Sequence, residues 1–316
     1  MRVVVFALLV LAALSAQAQT FPSRPIRLVA PFAPGGALDL IARGIAQKMS
    51  ESTGQSVVVD NRAGAAGAIG SEFVAKSTPD GYTLLLGATT THGINPVINS
   101  KLPYDPVKDF TPISLVATIP HVLVVNTAFP ANSLAEFVKV AKAKPGLAYG
   151  SAGNGSPHHL AGALFSNLAG IDTVHVPYKG SAPALADLVG GQLQFMSVEI
   201  VAAEPYIKGG KIKALAIASA RRRPGQSLPT FSESGYPGFE VTAWYAIFAA
   251  ANTPADITAR LTAEVVKAVE NPDLRDRLTS LGATPVGSSA DELAAYVRAE
   301  LDRWSRAVKA ANLKLE

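Results

Sequence analysis

The chain has 316 residues, with 28 Lys and Arg against 24 Asp and Glu, and it contains no cysteine. A net charge of +4 is too small to indicate nucleic-acid binding, and the lack of cysteine excludes disulfides, thiol chemistry and a lipidated N-terminal cysteine. The length suggests roughly two domains, each large enough to bury a core.

The N-terminus has the pattern of a secretory signal peptide. Arg2 precedes an apolar run at 3–13, and residues 14–18 end in the small-x-small pattern that signal peptidase cuts. The apolar run is shorter than the roughly 20 residues that cross a bilayer. We therefore predict a signal peptide over residues 1–18, cleaved after Ala18, and a protein that works outside the cytoplasm.

Short β-rich runs alternate with helical patterns between residues 26 and 250, which is typical of parallel sheets with helices on their faces. Helix starts carry clear signals, such as Ser133 with Glu136 at the capping-box spacing. The predicted strands are 26–30, 57–60, 83–87, 113–118, 121–126, 148–151, 173–177, 195–198, 214–218 and 244–249.

From Pro254 onward the pattern is wholly helical, and no strand is predicted there. These C-terminal helices must therefore pack on a sheet that the chain has already made. Such an arrangement follows if the chain crosses between two α/β lobes near 120–122 and returns near 241–244. The prediction is lobe 1 from 19–121 plus 245–316 and lobe 2 from 122–244, as in a hinge-bending binding protein.

The segment Pro-Phe-Ala-Pro-Gly-Gly-Ala-Leu-Asp, at 31–39, follows the first strand and opens the first helix. Its glycines allow close backbone approach to a ligand, and the free N–H groups of a helix start favour an anion. An anion site and a tight strand-to-helix turn explain the spacing equally well. The candidate binding residues here are Phe32, Pro34, Gly35, Gly36 and Ala37.

A second Gly- and Ser-rich segment, at 149–158, also ends a strand and begins a helix. Ligands of open α/β sheets lie at the carboxyl ends of the strands, so the two segments could face each other across a cleft. Threonines after the strand ending at 87 belong to the same edge. The candidate residues are Thr89, Thr90, Ser151, Gly153, Asn154, Gly155, Ser156 and His158.

Other chemistries receive little support from the sequence. The glycines at 64, 67 and 70 lack the spacing of a dinucleotide loop, and no catalytic motif of the Gly-x-Ser-x-Gly or His-Glu-x-x-His type occurs. His158 and His159 are adjacent, so they point about 100° apart on a helix and would not share a metal. Neither a catalytic residue nor a metal site nor a cofactor is predicted.

Seven motifs resemble those of the periplasmic receptors of tripartite tricarboxylate transporters, also called Bug receptors. They run in family order over nearly the whole chain after the signal peptide. The matching stretches are Phe-Pro-Ser-Arg-Pro-Ile at 21–26, Pro-Phe-Ala-Pro-Gly-Gly at 31–36, Val-Asp-Asn-Arg-Ala-Gly at 59–64, Pro-Asp-Gly-Tyr-Thr-Leu at 79–84, Leu-Pro-Tyr-Asp-Pro at 102–106, Ser-Ala-Gly-Asn-Gly at 151–155 and Val-Pro-Tyr-Lys-Gly-Ser at 176–181.

The resemblance implies a two-lobed α/β fold of the periplasmic-binding-protein type, a Venus flytrap of type II-like form. It further implies a monomeric periplasmic receptor that captures a small carboxylate and hands it to a membrane permease. In the family, backbone amides and bridging waters hold the ligand carboxylate, here at 32–37 and 151–156.

Two positions depart from the family pattern. Leu38 stands where Thr or Ser is usual, and Val198-Glu199 stands where many members have Asp-Asn. If Glu199 faces the cleft, it would disfavour a second ligand carboxylate and favour an amine or amide end. If it points outward, it is a solvated residue at a strand end.

Two alternative functions stay open at this point. One is an exported hydrolase that uses Ser151 or Ser156 with His158, although Ser156 and His158 are too close along a helix start to serve as nucleophile and base. The other is a sensing module that docks on a membrane sensor kinase. The identity of the ligand also stays open, because backbone amides recognise a carboxylate whatever carries it.

Overall fold

The computed structural model describes residues 21–222 and 227–310, so the expected signal peptide at 1–18 lies outside the described residues. The strands are β1 (Ile26–Ala30), β2 (Val57–Asn61), β3 (Thr83–Ala88), β4 (Phe110–Asn126), β5 (Leu147–Ser151), β6 (Thr173–Pro177), β7 (Phe195–Glu199), β8 (Ile212–Ile217), β9 (Thr242–Ala250) and β10 (Thr284–Pro285). The helices are α1 (Ala37–Thr53), α2 (Ala68–Ala75), α3 (Asn95–Ile98), α4 (Leu134–Ala143), α5 (Pro157–Ala169), α6 (Ser181–Val189), α7 (Ile200–Lys208), α8 (Ala255–Glu270), α9 (Pro272–Ser280) and α10 (Ala290–Ala310).

The strands form two groups that share one long strand. In the first group β1 pairs in parallel with β2 and β3, and β9 lies antiparallel between β3 and β4. In the second group β5 pairs in parallel with β6 and β7, and the end of β4 lies antiparallel between β7 and β8. Helices cover both groups, which gives the α/β two-lobed architecture predicted from the sequence.

β4 was expected as two strands, 113–118 and 121–126, but it is continuous. Pro120 pairs with Thr242 of β9, and the next residue, His121, pairs with Glu199 of β7. A proline has no N–H to donate to a ladder, and here it lies where β4 changes partners. The apparent break in the sequence therefore marks a switch between strand groups and not the end of a strand.

The first helix shows how an apolar stripe fixes an element on the sheet. Leu38, Ile41, Ile45 and Met49 recur at three- and four-residue spacing, and all four are buried. Gly54 ends the helix in the left-handed conformation, with φ of 70°. The stripe holds α1 on the first strand group, so the start of the helix is held rigidly at the carboxyl end of β1.

The C-terminal helices pack on the first strand group, as the sequence predicted. α8 lies on α1 and β4, and α10 lies on β4 and the turn after β3. Trp244 and Trp304 both donate their indole N–H to Glu300, at 2.8 and 3.0 Å. One prediction was wrong, since β10 is a strand in this tail: Thr284 and Pro285 pair with β4, and a two-residue strand is too short to leave a periodic signal.

None of the helices in the described residues is both long and apolar enough to pass through a membrane.

The buried His92 makes the stability of the first strand group depend on pH. It is fully buried, stacks on Phe248 with ring centroids 4.1 Å apart, and burial lowers its pKa to about 3. The unfolded chain takes up a proton near pH 6.5 and the folded chain does not, so stability falls as the pH drops below that value. Between pH 7 and pH 5 the wild type should lose about 1 to 2 kcal/mol more than His92→Phe, measured by urea unfolding; equal losses would contradict the burial argument.

Candidate functional site

A narrow cavity lies between the two strand groups, at the carboxyl ends of β1, β3 and β7. The cavity is small, with a volume of about 30 Å³. Its walls are Phe32, Ala33, Gly36, Leu38, Ala88, Thr89, Thr90, Ala152, Pro157, His158, Ser181, Glu199, Ala243 and Tyr245.

The start of α1 presents free amides to this cavity. Gly36 is the cap residue of the helix, and no side chain caps the amides of the first turn. Asp39 fixes the loop from behind, because its carboxylate accepts hydrogen bonds from Gly35 N at 3.0 Å and Arg43 Nε at 2.9 Å. Burial raises the pKa of Asp39, but these hydrogen bonds outweigh it and the pKa lies below its usual value. The loop is thus a preorganised, electropositive wall.

The second predicted segment uses most of its polar groups internally. Ser156 Oγ caps α5 by accepting His159 N at 3.3 Å, and it donates to Gly153 O at 2.7 Å. Ser151 Oγ accepts Gly153 N at 3.1 Å, and Gly155 N donates to His159 Nδ1 at 3.1 Å. These bonds make the segment a rigid turn, of which only Ala152, Pro157 and His158 reach the cavity wall.

The two halves touch each other around the cavity. Ala33 N, in the loop before α1, donates to Lys179 O, in the loop before α6, at 3.2 Å. Gly36 lies so close to α6 that a Cβ on it would be 2.7 Å from Ser181 Oγ, and a Cβ on Gly155 would be 2.0 Å from Ile98 Cδ1. A larger residue at either position would have to displace a side chain of the other half, and Gly155 also has a left-handed backbone with φ of 72°.

A buried polar cluster forms the opposite wall of the cavity. Glu199, only 4 % exposed, accepts hydrogen bonds from Tyr245 OH at 2.8 Å and His158 Nε2 at 2.9 Å. Burial raises the pKa of Glu199, but the charge and hydrogen bond of His158 outweigh it, so the pKa lies well below its usual value. Both oxygens of this carboxylate already have donors. Glu199 is therefore not a solvated strand end.

His121 completes the cluster from β4. Its Nε2 lies 3.8 Å from Glu199 Oε1, and its Nδ1 lies 3.2 Å from Ser197 Oγ. The ring is completely buried, and burial lowers its pKa to about 3. No local pattern in the sequence marks His121 or Tyr245, because their proximity to Glu199 depends on strand register.

The structure brings only part of the predicted site to the cavity. Phe32, Gly36, Thr89, Thr90, His158 and Glu199 line it. The remaining candidates lie in the two flanking turns, away from the lining, with Pro34, Gly35 and Asn154 exposed and Ala37, Ser151, Gly153, Gly155 and Ser156 buried.

The serines do not form the hydrolase pair considered from the sequence. Ser151 Oγ lies 2.6 Å from Nε2 of His175, which stacks on His159 with centroids 3.9 Å apart. Ser156 Oγ serves as a helix cap. Neither serine lines the cavity, so neither would meet a substrate held there.

Two α/β halves that close on a cavity lined by helix starts define a solute-binding protein of the periplasmic type. Comparisons with known proteins agree with this class. BugT of Bordetella pertussis is 36% identical over 302 residues, 95% of this chain and 93% of BugT. MatC from Rhodopseudomonas palustris with bound malate is 39% identical with a TM-score of 0.86, over 91% of this chain and 100% of that structure. A second R. palustris protein, solved with adipate, is 37% identical with a TM-score of 0.89, over 92% and 98% of the two chains.

The sequence model for the tripartite tricarboxylate transporter family receptor matches residues 41–313. The chain belongs to this family, which includes the Bug proteins. It is a periplasmic solute-binding receptor associated with a transporter, and it is not an enzyme.

Proposed function

We propose that this receptor captures a small carboxylate between its two lobes and delivers it to the permease of a tripartite tricarboxylate transporter. The observation that carries the proposal is the uncapped start of α1 at Gly36, which lies in the wall of an interlobe cavity. Free helix-start amides at the positive end of the helix dipole favour a carboxylate. The related structures with malate and adipate hold ligands of this class.

The remaining walls favour an organic acid with a short apolar body. Phe32, Leu38 and Ala243 supply apolar surface, whereas Thr89, Thr90 and Ser181 supply hydroxyl groups. The amides of the first turn of α1, beside Gly36, would hold the acid group itself, with bridging waters completing its hydrogen bonds.

The permease would recognise the closed form of the receptor. We place lobe 1 at 19–121 plus 245–316 and lobe 2 at 122–244, joined by β4 and by the chain entering β9. Ligand contacts from both lobes favour the closed form, in which the Ala33–Lys179 backbone bond forms. The protein would act as a monomer, after removal of the signal peptide at residues 1–18.

The proposal is tested by thermal melting with a panel of small acids. The chain from Gln19 onward is refolded to remove carried-over ligand, kept in EDTA, and melted with malate, adipate, aromatic acids, amides and amino acids. At about one hundred times its dissociation constant, a true ligand adds ~2.7 kcal/mol to the free energy of unfolding.

A clear rise in melting temperature for one acid, with the acid recovered unchanged, is the expected result. The matched amide of that acid should give no rise, because it lacks the charge that the helix start binds. Equal shifts for acid and amide, or none for any acid, would contradict carboxylate capture.

A further inference from the structure

Three potential metal ligands converge beside the cavity from separate elements. His121 lies in β4, His158 at the start of α5, and Glu199 at the end of β7. One ligand atom from each, two imidazole nitrogens and a carboxylate oxygen, all lie within 4.8 Å of one another, and all three residues are buried. His158 Nε2 is 2.9 Å from Glu199 Oε2, and His121 Nε2 is 3.8 Å from Glu199 Oε1.

The second nitrogen of His121 has no hydrogen-bond partner. When Nδ1–H donates to Ser197 Oγ at 3.2 Å, Nε2 carries a lone pair, and this buried nitrogen is unpartnered. It lies near the oxygen of a carboxylate that is itself only an acceptor. Two acceptors in a buried site repel each other unless a positive charge lies between them. The polar cluster therefore has the arrangement of a cation site.

We propose that His121 Nε2, His158 Nε2 and the Glu199 carboxylate bind a divalent transition ion of the zinc class. Two imidazoles and one carboxylate are a ligand set for Zn²⁺, with bonds of about 2.0–2.2 Å, whereas Ca²⁺ and Mg²⁺ prefer oxygen ligands. The ion takes the place of the proton that now joins His158 to Glu199. The two imidazole rings turn toward the ion, because ligand atoms up to 4.8 Å apart must come closer together to share it.

Neighbouring groups already hold the ligands in place. Ser197 Oγ can accept a hydrogen bond from His121 Nδ1–H at 3.2 Å, and Tyr245 OH donates to Glu199 Oε1 at 2.8 Å. Such outer contacts orient metal ligands and raise affinity. Because His158 and Glu199 line the cavity, the fourth position of the ion would face the space where a solute binds. The ion could thus be coordinated by water or by a ligand oxygen.

The sequence could not suggest this site. The adjacent pair His158 and His159 is unsuitable for one ion, and His121 is far away in the chain. It reaches the site because His121 and Glu199 are register partners on neighbouring antiparallel strands.

The test is a titration of the EDTA-stripped and dialysed chain, from Gln19 onward, with Zn²⁺ alone in a calorimeter. Co²⁺ serves as a second probe, because its visible absorption reports the coordination geometry. We expect saturable binding of one ion per chain. His121→Asn and Glu199→Gln should each lower the affinity at least ~100-fold, and Ser197→Ala about tenfold.

His175→Asn is the matched control, since it removes a histidine of the same half that is stacked on His159. It should leave the Zn²⁺ affinity unchanged, and melting in EDTA checks that each variant is folded. The proposal is overturned if the wild type shows no saturable binding, or if His175→Asn weakens binding and His121→Asn does not. A negative result in this titration would not contradict carboxylate capture, because carboxylate capture is measured separately in EDTA.

Discussion

Replacing Glu199 by alanine is expected to lower the free energy of unfolding by about 3 kcal/mol, near the lower end of the cost of breaking a buried ion pair. The change leaves Tyr245 OH and His158 Nε2 without the acceptor that they share. Both groups are buried, so water cannot replace the lost hydrogen bonds without opening the site. Urea unfolding in EDTA measures the loss without any contribution from metal.

Glu199→Gln is the matched control for this prediction. Its side-chain oxygen still accepts one hydrogen bond and its volume is nearly the same, so it should cost clearly less than alanine. If the alanine variant is within about 0.5 kcal/mol of wild type, as for a surface change, Glu199 does not hold the cavity wall together.

Replacing Gly36 by valine should weaken carboxylate binding about 100-fold, because overpacking of a closed interface costs about 1–3 kcal/mol. The backbone at Gly36 is extended, with φ of −82°, so other residues can adopt it. The obstacle is the opposite lobe, since a Cβ would lie 2.7 Å from Ser181 Oγ. Stability without ligand should change little, because the open form has no such contact. Calorimetric titration with the acid found in the melting panel measures the effect.

Two smaller substitutions test whether the clash with Ser181 causes this loss of affinity. Gly36→Ala should weaken binding about tenfold in the wild type, and it should cost clearly less in the Ser181→Ala background, where the clashing oxygen is absent. If Gly36→Ala costs the same in both backgrounds, the loss comes from the loop before α1 itself and not from blocked closure.

The strands were predictable from sequence where their residues repeat a local pattern. β1 and β6 have the predicted bounds, and the other strands that were predicted separately differ by two residues or fewer at each end. The failures are not local. Pro120 was predicted to lie between two strands, but β4 continues through it, because β4 pairs with β9 up to Pro120 and with β7 from His121 onward. The strand β10 forms only because β4 offers it an edge.

The candidate site was likewise predictable where the signal is local and not where it depends on distant parts of the chain. A strand followed by glycines and a helix start identified Phe32 and Gly36, because the chemistry of helix termini is local. The pattern could not tell which hydroxyls were already used, so Ser151 and Ser156 were predicted as binding residues although their Oγ atoms bond within their own turn. Tyr245 lay in a predicted strand, but the side of the sheet that faces the cavity is decided by the second lobe.

The position of β9 determines the order in which the halves can be completed. It lies between β3 and β4, yet it follows the whole second strand group in the chain. While the chain is being synthesised, β3 and β4 therefore remain without the strand that joins them until more than two hundred residues have emerged. An unpaired, apolar strand edge such as β3 is a template for aggregation. The N-terminal half therefore keeps an exposed strand edge until β9 has emerged.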